Sequence, residues 1–100
     1  MRVISLKSLR AFWEQYPDAE QPLRQWYKTT THARWGSLQD ARADYPHADG
    51  VRTRSGDTLT VFNIGGNKYR LVARIRYDYQ LVNVRRVLTH EEYDEAKWKE

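Results

Sequence analysis

Along the first third of the chain, apolar residues return every three or four positions. Leu6, Leu9, Phe12, Trp13 and Tyr16 form one such stripe, the spacing of a helix with one buried face. Pro17 ends it, because the residue before a proline is pushed out of the helical region. Asp18 reads as the N-cap of a second helix, with Gln21 three residues on completing a capping box. Pro22 falls in that helix's first turns, where its missing N–H does least harm. Leu23, Trp26, Tyr27 and Thr30 carry the stripe onward. The pattern predicts an antiparallel helix pair lying across a sheet, and residues 2–5 ahead of it suit a short strand.

Further on the period shortens to two. Gly36-Ser37 breaks the chain, and Ser37 is placed to cap a short helix through Ala43. Residues 45–56 read as loop, rich in Pro, Gly, Asp and Ser and without periodicity. Strands are predicted over 59–64, 68–77 and 81–88, joined by a Gly65-Gly66 turn, where glycine tolerates positive φ, and by Tyr77-Asp78-Tyr79-Gln80. The resulting fold class is α+β: N-terminal helices packed on one face of a small, largely antiparallel sheet, with a short C-terminal helix. Alternation sorts residues 68–77 between two faces. Tyr69, Leu71, Ala73, Ile75 and Tyr77 belong under the helices. Lys68, Arg70, Val72, Arg74 and Arg76 share the other face, which is expected to be wet or bound to something anionic.

One hundred residues fit a single domain over 1–100. The 40% hydrophobic content supports a folded core, and a mean hydropathy of −0.89 marks a soluble chain. No apolar run approaches a membrane span or a signal-peptide core. With no cysteine, disulfides and thiolate metal sites are excluded, which fits a reducing cytoplasm. The formal charge of +4 is unevenly spread. Residues 1–50 carry seven Lys+Arg against six Asp+Glu, residues 51–90 eight against two, and residues 91–100 two against five. Positive charge therefore concentrates on the strands, as on a phosphate-binding face.

Against that background Arg70 stands out, because a strand holds it rigidly and its guanidinium can make two parallel hydrogen bonds to a phosphate. A solvated sheet arginine, or one paired with an acidic partner protein, is the alternative. Thr89-His90-Glu91-Glu92 reads as a helix start, with Thr89 capping and Glu92 closing a capping box. That would put His90 in a first turn, with Tyr93 three residues on along one face. Lys68, Arg74, Arg76 and Asn67 are RNA-binding candidates, although Asn63 and Asn67 beside glycine are also ordinary turn chemistry. Phe12, Trp13, Trp26 and Trp35 read as core, whereas Tyr77, Tyr79 and Tyr93 are placed to stack on bases. His32, His47 and His90 lack metal-ligand spacing, and neither a phosphate loop nor a dinucleotide motif is present, so no metal or cofactor is expected.

The segment Val61-Phe62-Asn63-Ile64-Gly65-Gly66-Asn67-Lys68-Tyr69-Arg70-Leu71-Val72, together with Thr89-His90-Glu91-Glu92-Tyr93-Asp94, resembles the HigB family of bacterial toxins. With Arg2-Val3-Ile4-Ser5 and the helix-rich first half, the likeness covers nearly the whole chain. The two motifs are specific in combination, though each alone is weak. The resemblance implies a RelE-like fold and a ribosome-dependent endoribonuclease (an mRNA interferase) that cuts translated mRNA. It also implies a HigA-type helix-turn-helix antitoxin and contact with operator DNA only through that complex, to which the cytoplasmic location read from the missing cysteines is added. Tyr69-Arg70-Leu71-Val72 matches the family strand whose arginine contacts the scissile phosphate, and His90 and Tyr93 match the region that serves proton transfer. Some RelE relatives carry lysines ahead of that strand, where this chain offers Arg52, Arg54 and Lys68.

The expected reaction is metal-free transesterification with Arg70, His90 and Tyr93 as catalytic groups. A non-catalytic RNA- or ribosome-binding module is the alternative. A DNA-binding regulator is disfavoured, because no basic recognition helix is visible.

Overall fold

The computed structural model describes residues 1–99. A short strand β1 (Arg2–Ile4) leads into helix α1 (Leu6–Gln15). The Ser5 hydroxyl accepts from the Ser8 amide at 3.4 Å and so caps that helix. Pro17 ends it as expected, but one 3-10 turn, Pro17–Ala19, intervenes before α2 (Glu20–His32) begins. The expected capping box at Asp18 does not form. Ala19 occupies the N-cap of α2 with no side-chain bond, and the Asp18 carboxylate turns instead to the sheet. Helix α3 (Leu38–Asp44) comes directly after Ser37, which holds the N-cap position without a side-chain bond. The Gly36 amide is taken by the Asp40 carboxylate at 2.8 Å.

The segment read as loop contains strand β2 (Asp49–Arg52). Its composition, with Gly50 and three exposed positions, gave no alternation to detect; pairing with its neighbour defines it. Strands β3 (Thr58–Ile64), β4 (Tyr69–Arg76) and β5 (Leu81–Thr89) complete one five-stranded sheet in the order β1-β5-β4-β3-β2. All pairings are antiparallel except that of β1 with β5. Gly65 and Gly66, both at positive φ, make the β3–β4 turn. A short helix α4 (His90–Asp94) and a 3-10 turn, Lys97–Lys99, close the described chain.

Register sends Tyr69, Leu71 and Ala73 under the helices, where they join Leu9, Leu23, Trp26, Trp35 and Phe62 in the main core. Phe62 lies at its centre, fully buried, with Trp26, Trp35 and Tyr45 ring centroids at 5.5, 6.0 and 5.2 Å. Phe62→Ala is expected to cost about 3–5 kcal/mol, read as a lower urea midpoint with an unchanged slope.

The opposite face departs from expectation, for only part of it is wet. Val72 is buried with Leu59, Val61, Leu88 and Trp98 in a second apolar cluster, which Trp98 reaches from the C-terminal turn. A β-bulge lies beside it: Val72 pairs with Arg86 while Ala73 pairs with Val84, so Arg85 is the extra residue. Two consecutive arginines thereby turn away from the helix-covered core.

Candidate RNA-cleavage site

Three segments supply the candidate residues. The β3–β4 turn delivers Arg70, the β5–α4 junction delivers His90, and the C-terminal turn delivers Trp98. Arg70 is half-buried and donates through one Nη1 to the carbonyls of Asn67 at 2.9 Å and Tyr69 at 3.1 Å. Its guanidinium carbon stands 5.3 Å from the Tyr93 ring centroid, a cation–π arrangement. Tyr93 in turn stacks on Trp98 at 5.0 Å with the planes 17° apart, and the Trp98 indole N–H donates to the Tyr93 carbonyl at 2.9 Å. Trp98, only 5% exposed, anchors this ladder in the second core, and the ladder limits where the guanidinium can swing.

The capping box predicted at Thr89 is present, with both reciprocal bonds made. The His90 amide also donates to the Lys68 carbonyl at 3.1 Å, so β4 fixes where the imidazole starts. His90 Nδ1 lies 2.9 Å from Asp94 Oδ2. The contact places a carboxylate against the ring, on a side chain 50% exposed. An open depression of about 510 Å³ is lined by Tyr16, Lys68, Thr89, His90, Glu91 and Glu92. His90 and Tyr93 do not make a shared pair: His90 lines this depression, while Tyr93 is held between Arg70 and Trp98.

Charge pairing separates the cations that the sequence had grouped together. Lys68 Nζ is 2.6 Å from Asp18 Oδ2, and Arg76 meets Asp78 through two bonds of 3.2 and 3.0 Å. Arg76 also stands 4.6 Å from the centroid of Tyr79, a ring 70% exposed at the far end of β4. Among the described residues, Arg70, Arg74, Arg85 and Arg86 have no carboxylate oxygen within 4.0 Å. Asn67 stays in the turn, its Oδ1 accepting from Asn63 at 3.5 Å. Tyr77 packs against the main core, and burial pushes its hydroxyl pKa up. That removes it as an exposed stacking platform.

Asp18 is the contact that sequence reasoning missed most clearly. Besides Lys68 it accepts the Tyr69 hydroxyl, pinning the helix connection to the strand that carries Arg70. Hydrogen bonds from Lys68 and then Tyr69 hold the Asp18 carboxyl below its usual value, and that same carboxylate, with burial, raises the Tyr69 hydroxyl to about 12. A depressed carboxyl pKa stabilises the fold above the usual carboxylate range, and the benefit fades as pH falls through the folded value. A raised phenol pKa stabilises it below the free phenol's value and is lost as pH climbs through about 12. Asp18→Asn should therefore lower Tm near neutrality, and the gap from the parent should close in acid. A gap that stays constant across a pH series of melts would rule out the ionised tie.

Arg85, Arg86, Asp94 and Trp98 also escaped the sequence. The adjacent arginines in a strand were a usable sign of a bulge, because alternation cannot bury one neighbour of each. Nothing local announced that Trp98 folds back across the sheet.

The sequence profile described as "HigB_toxin, RelE-like toxic component of a toxin-antitoxin system" matches residues 19–96. Trp98 lies just beyond it. The chain is 32% identical over 94 residues to the mRNA interferase toxin HigB of Escherichia coli K12, covering 94% of this chain and 88% of that protein. The mRNA interferase HigB of Shigella flexneri matches to the same extent. A further mRNA interferase HigB, from Escherichia coli O6:H1, is 24% identical over 94% of this chain and 89% of its own length. The chain belongs to the HigB family, the RelE-like toxic components of toxin–antitoxin systems.

Proposed function

We propose that this toxin is an endoribonuclease that cuts mRNA on the translating ribosome by metal-free transesterification. The observation that carries the reading is Arg70: a strand-borne guanidinium held by two carbonyls and an aromatic ring, with no carboxylate to neutralise it among the described residues. Two of its bonds go to backbone, so part of its fork is left for phosphate oxygens. The relatives' shared description as mRNA interferases supports the choice of substrate.

In the reaction, the ribose 2′-oxygen attacks the adjacent phosphorus and the P–O5′ bond breaks. A 2′,3′-cyclic phosphate is left on one fragment and a 5′-hydroxyl on the other. The 2′-hydroxyl proton leaves as the new bond forms, and a proton is delivered to the departing 5′-oxygen. Arg70 stabilises the extra charge on the phosphorane oxygens. The His90 imidazole takes or gives one of those protons, with the Asp94 carboxylate 2.9 Å from Nδ1 biasing the ring's position. Tyr93, kept in place by Trp98, orients the phosphate side and shares the proton work. Arg74, with no carboxylate oxygen within 4.0 Å among the described residues, tracks the RNA backbone. Lys68 and Arg76 contribute only where phosphate displaces Asp18 and Asp78, and Asn67 supports the turn beneath Arg70. Dependence on the ribosome accords with a site this open, since translating mRNA would arrive already extended and oriented. A HigA-type antitoxin would neutralise the toxin and bring it to operator DNA in a cytoplasmic complex.

Asp94→Asn is expected to slow cutting by roughly tenfold, since imidazole orientation is weakened while the imidazole remains. Brief induction and subsequent mapping of mRNA ends test the reading as a whole. New ends inside translated frames, absent when initiation is blocked, are expected. Whole transcripts under arrested translation would instead favour a non-catalytic ribosome binder.

A further inference from the structure

Beyond Arg70 the second face continues into a cavity of about 380 Å³, lined by Thr53, Ser55, Asp57, Leu59, Arg85, Arg86 and Trp98. It shares Trp98 with the ladder that holds Arg70, so the two sites form one continuous surface. Arg86 is the partner of Val72, and Leu88 the partner of Arg70. Arg86 is thus the diagonal neighbour of Arg70 on the same face, about 7–8 Å away across the ladder. That separation suits successive phosphates of an extended RNA strand. Bulging at Arg85 gives the cavity a second guanidinium, and among the described residues neither arginine has a carboxylate within 4.0 Å.

Thr53, Ser55 and Asp57 line the same cavity. Residues 53–57 form a closed turn in which the Thr53 amide donates to the Asp57 carbonyl at 2.8 Å, and the Thr53 and Ser55 hydroxyls meet at 2.9 Å. The turn is fastened to the C-terminal segment, because the Arg54 amide donates to the Lys99 carbonyl at 3.3 Å. Asp57 has main-chain bonds, but its carboxylate has neither a hydrogen bond nor an ion pair among the described residues. A carboxylate sharing a cavity with two guanidiniums that have no carboxylate partner among the described residues matches a nucleotide: phosphate on the arginines, base edge toward the acid.

A carboxylate accepts hydrogen bonds and donates none. Guanine, adenine and cytosine each offer an exocyclic amino group on the Watson–Crick edge. Uracil offers one N–H flanked by two carbonyl oxygens, which would face the second carboxylate oxygen. We infer that this cavity is a base-selective subsite that holds the nucleotide next to the scissile phosphate and rejects uracil there. The inference rests on the nuclease reading above and specifies its substrate.

The test is to map cut sites across cellular mRNA after brief induction of the full chain and to score base frequencies at each position flanking the cut. In the parent, uracil should be depleted roughly 5- to 100-fold at one flanking position, the discrimination expected of a polar base contact. Asp57→Asn, whose amide can both donate and accept, should return uracil to its background frequency at that position. Scored as a ratio, the result is independent of total cutting. Arg85→Gln should lower cutting at all sites alike and leave the base ratio unchanged, as expected of a phosphate contact. Cuts by the parent that show no uracil depletion overturn the subsite alone, as does an Asp57→Asn variant that keeps the depletion. Transcripts left whole by the parent would overturn the nuclease reading, and the subsite with it.

Discussion

Arg70→Ala should reduce cleavage of translated mRNA by roughly 10²–10³-fold, the usual cost of losing one preorganised donor to a developing oxyanion. In cells that loss should abolish growth inhibition. The prediction is sharper than a charge-removal argument because of how the side chain is held. Bonds to the Asn67 and Tyr69 carbonyls and the Tyr93 ring fix one side of the guanidinium. Arg70→Lys keeps the charge but loses the planar fork, so it should recover only a small part of the activity. The same replacement at Arg24, which is tied to Glu20 on the surface of α2, should change nothing measurable. Circular dichroism and melting separate chemistry from folding, since Arg70 lies at the border of the second core and not within it. A folded Arg70→Ala protein that cut at the parental rate would remove this residue from the mechanism.

His90→Gln is expected to cost roughly 10²–10⁴-fold, the range typical of a general acid–base group. Glutamine keeps polarity and approximate length, so the helix start should survive: Thr89 and Glu92 cap α4 through bonds that do not involve the imidazole. The loss should appear in the rate at saturating translating ribosomes more than in the concentration needed to reach saturation, because proton transfer and not docking is affected. Equal losses in both would make His90 a binding group. Tyr93→Phe discriminates further. It preserves the stack on Trp98 and the ring under Arg70, so any drop reports the hydroxyl alone.

Much of the fold could be read from periodicity. The two helical stripes, the glycine turn and the alternation of β4 each specify one geometry, and register then sends Tyr69, Leu71 and Ala73 beneath the helices. What escaped was set by contacts distant in sequence. Asp18 has the residue type of an N-cap, yet Lys68 and Tyr69 compete for its carboxylate and win. β2 forms because β3 offers it an edge, not because its own residues alternate. Alternation leaves the whole cation-bearing face wet or bound to something anionic, but Trp98 covers Val72, and a single tryptophan near residue 100 carries no pattern to foresee that. The site was partly legible for the same reason. Arg70 and the Thr89 cap can be read from local spacing, whereas the neutralisation of Lys68 and Arg76 and the exposure of Arg85 and Arg86 depend on the assembled sheet.

The central claim is that Arg70, with no carboxylate partner among the described residues, and the exposed imidazole of His90 pass RNA through a cyclic phosphate without a metal. The most direct measurement is the chemistry of the termini released when purified toxin meets mRNA on translating ribosomes with divalent ions held only at the level the ribosome needs. The account predicts a 2′,3′-cyclic phosphate on the upstream fragment and a free 5′-hydroxyl on the downstream one. A 3′-hydroxyl with a 5′-phosphate would contradict it.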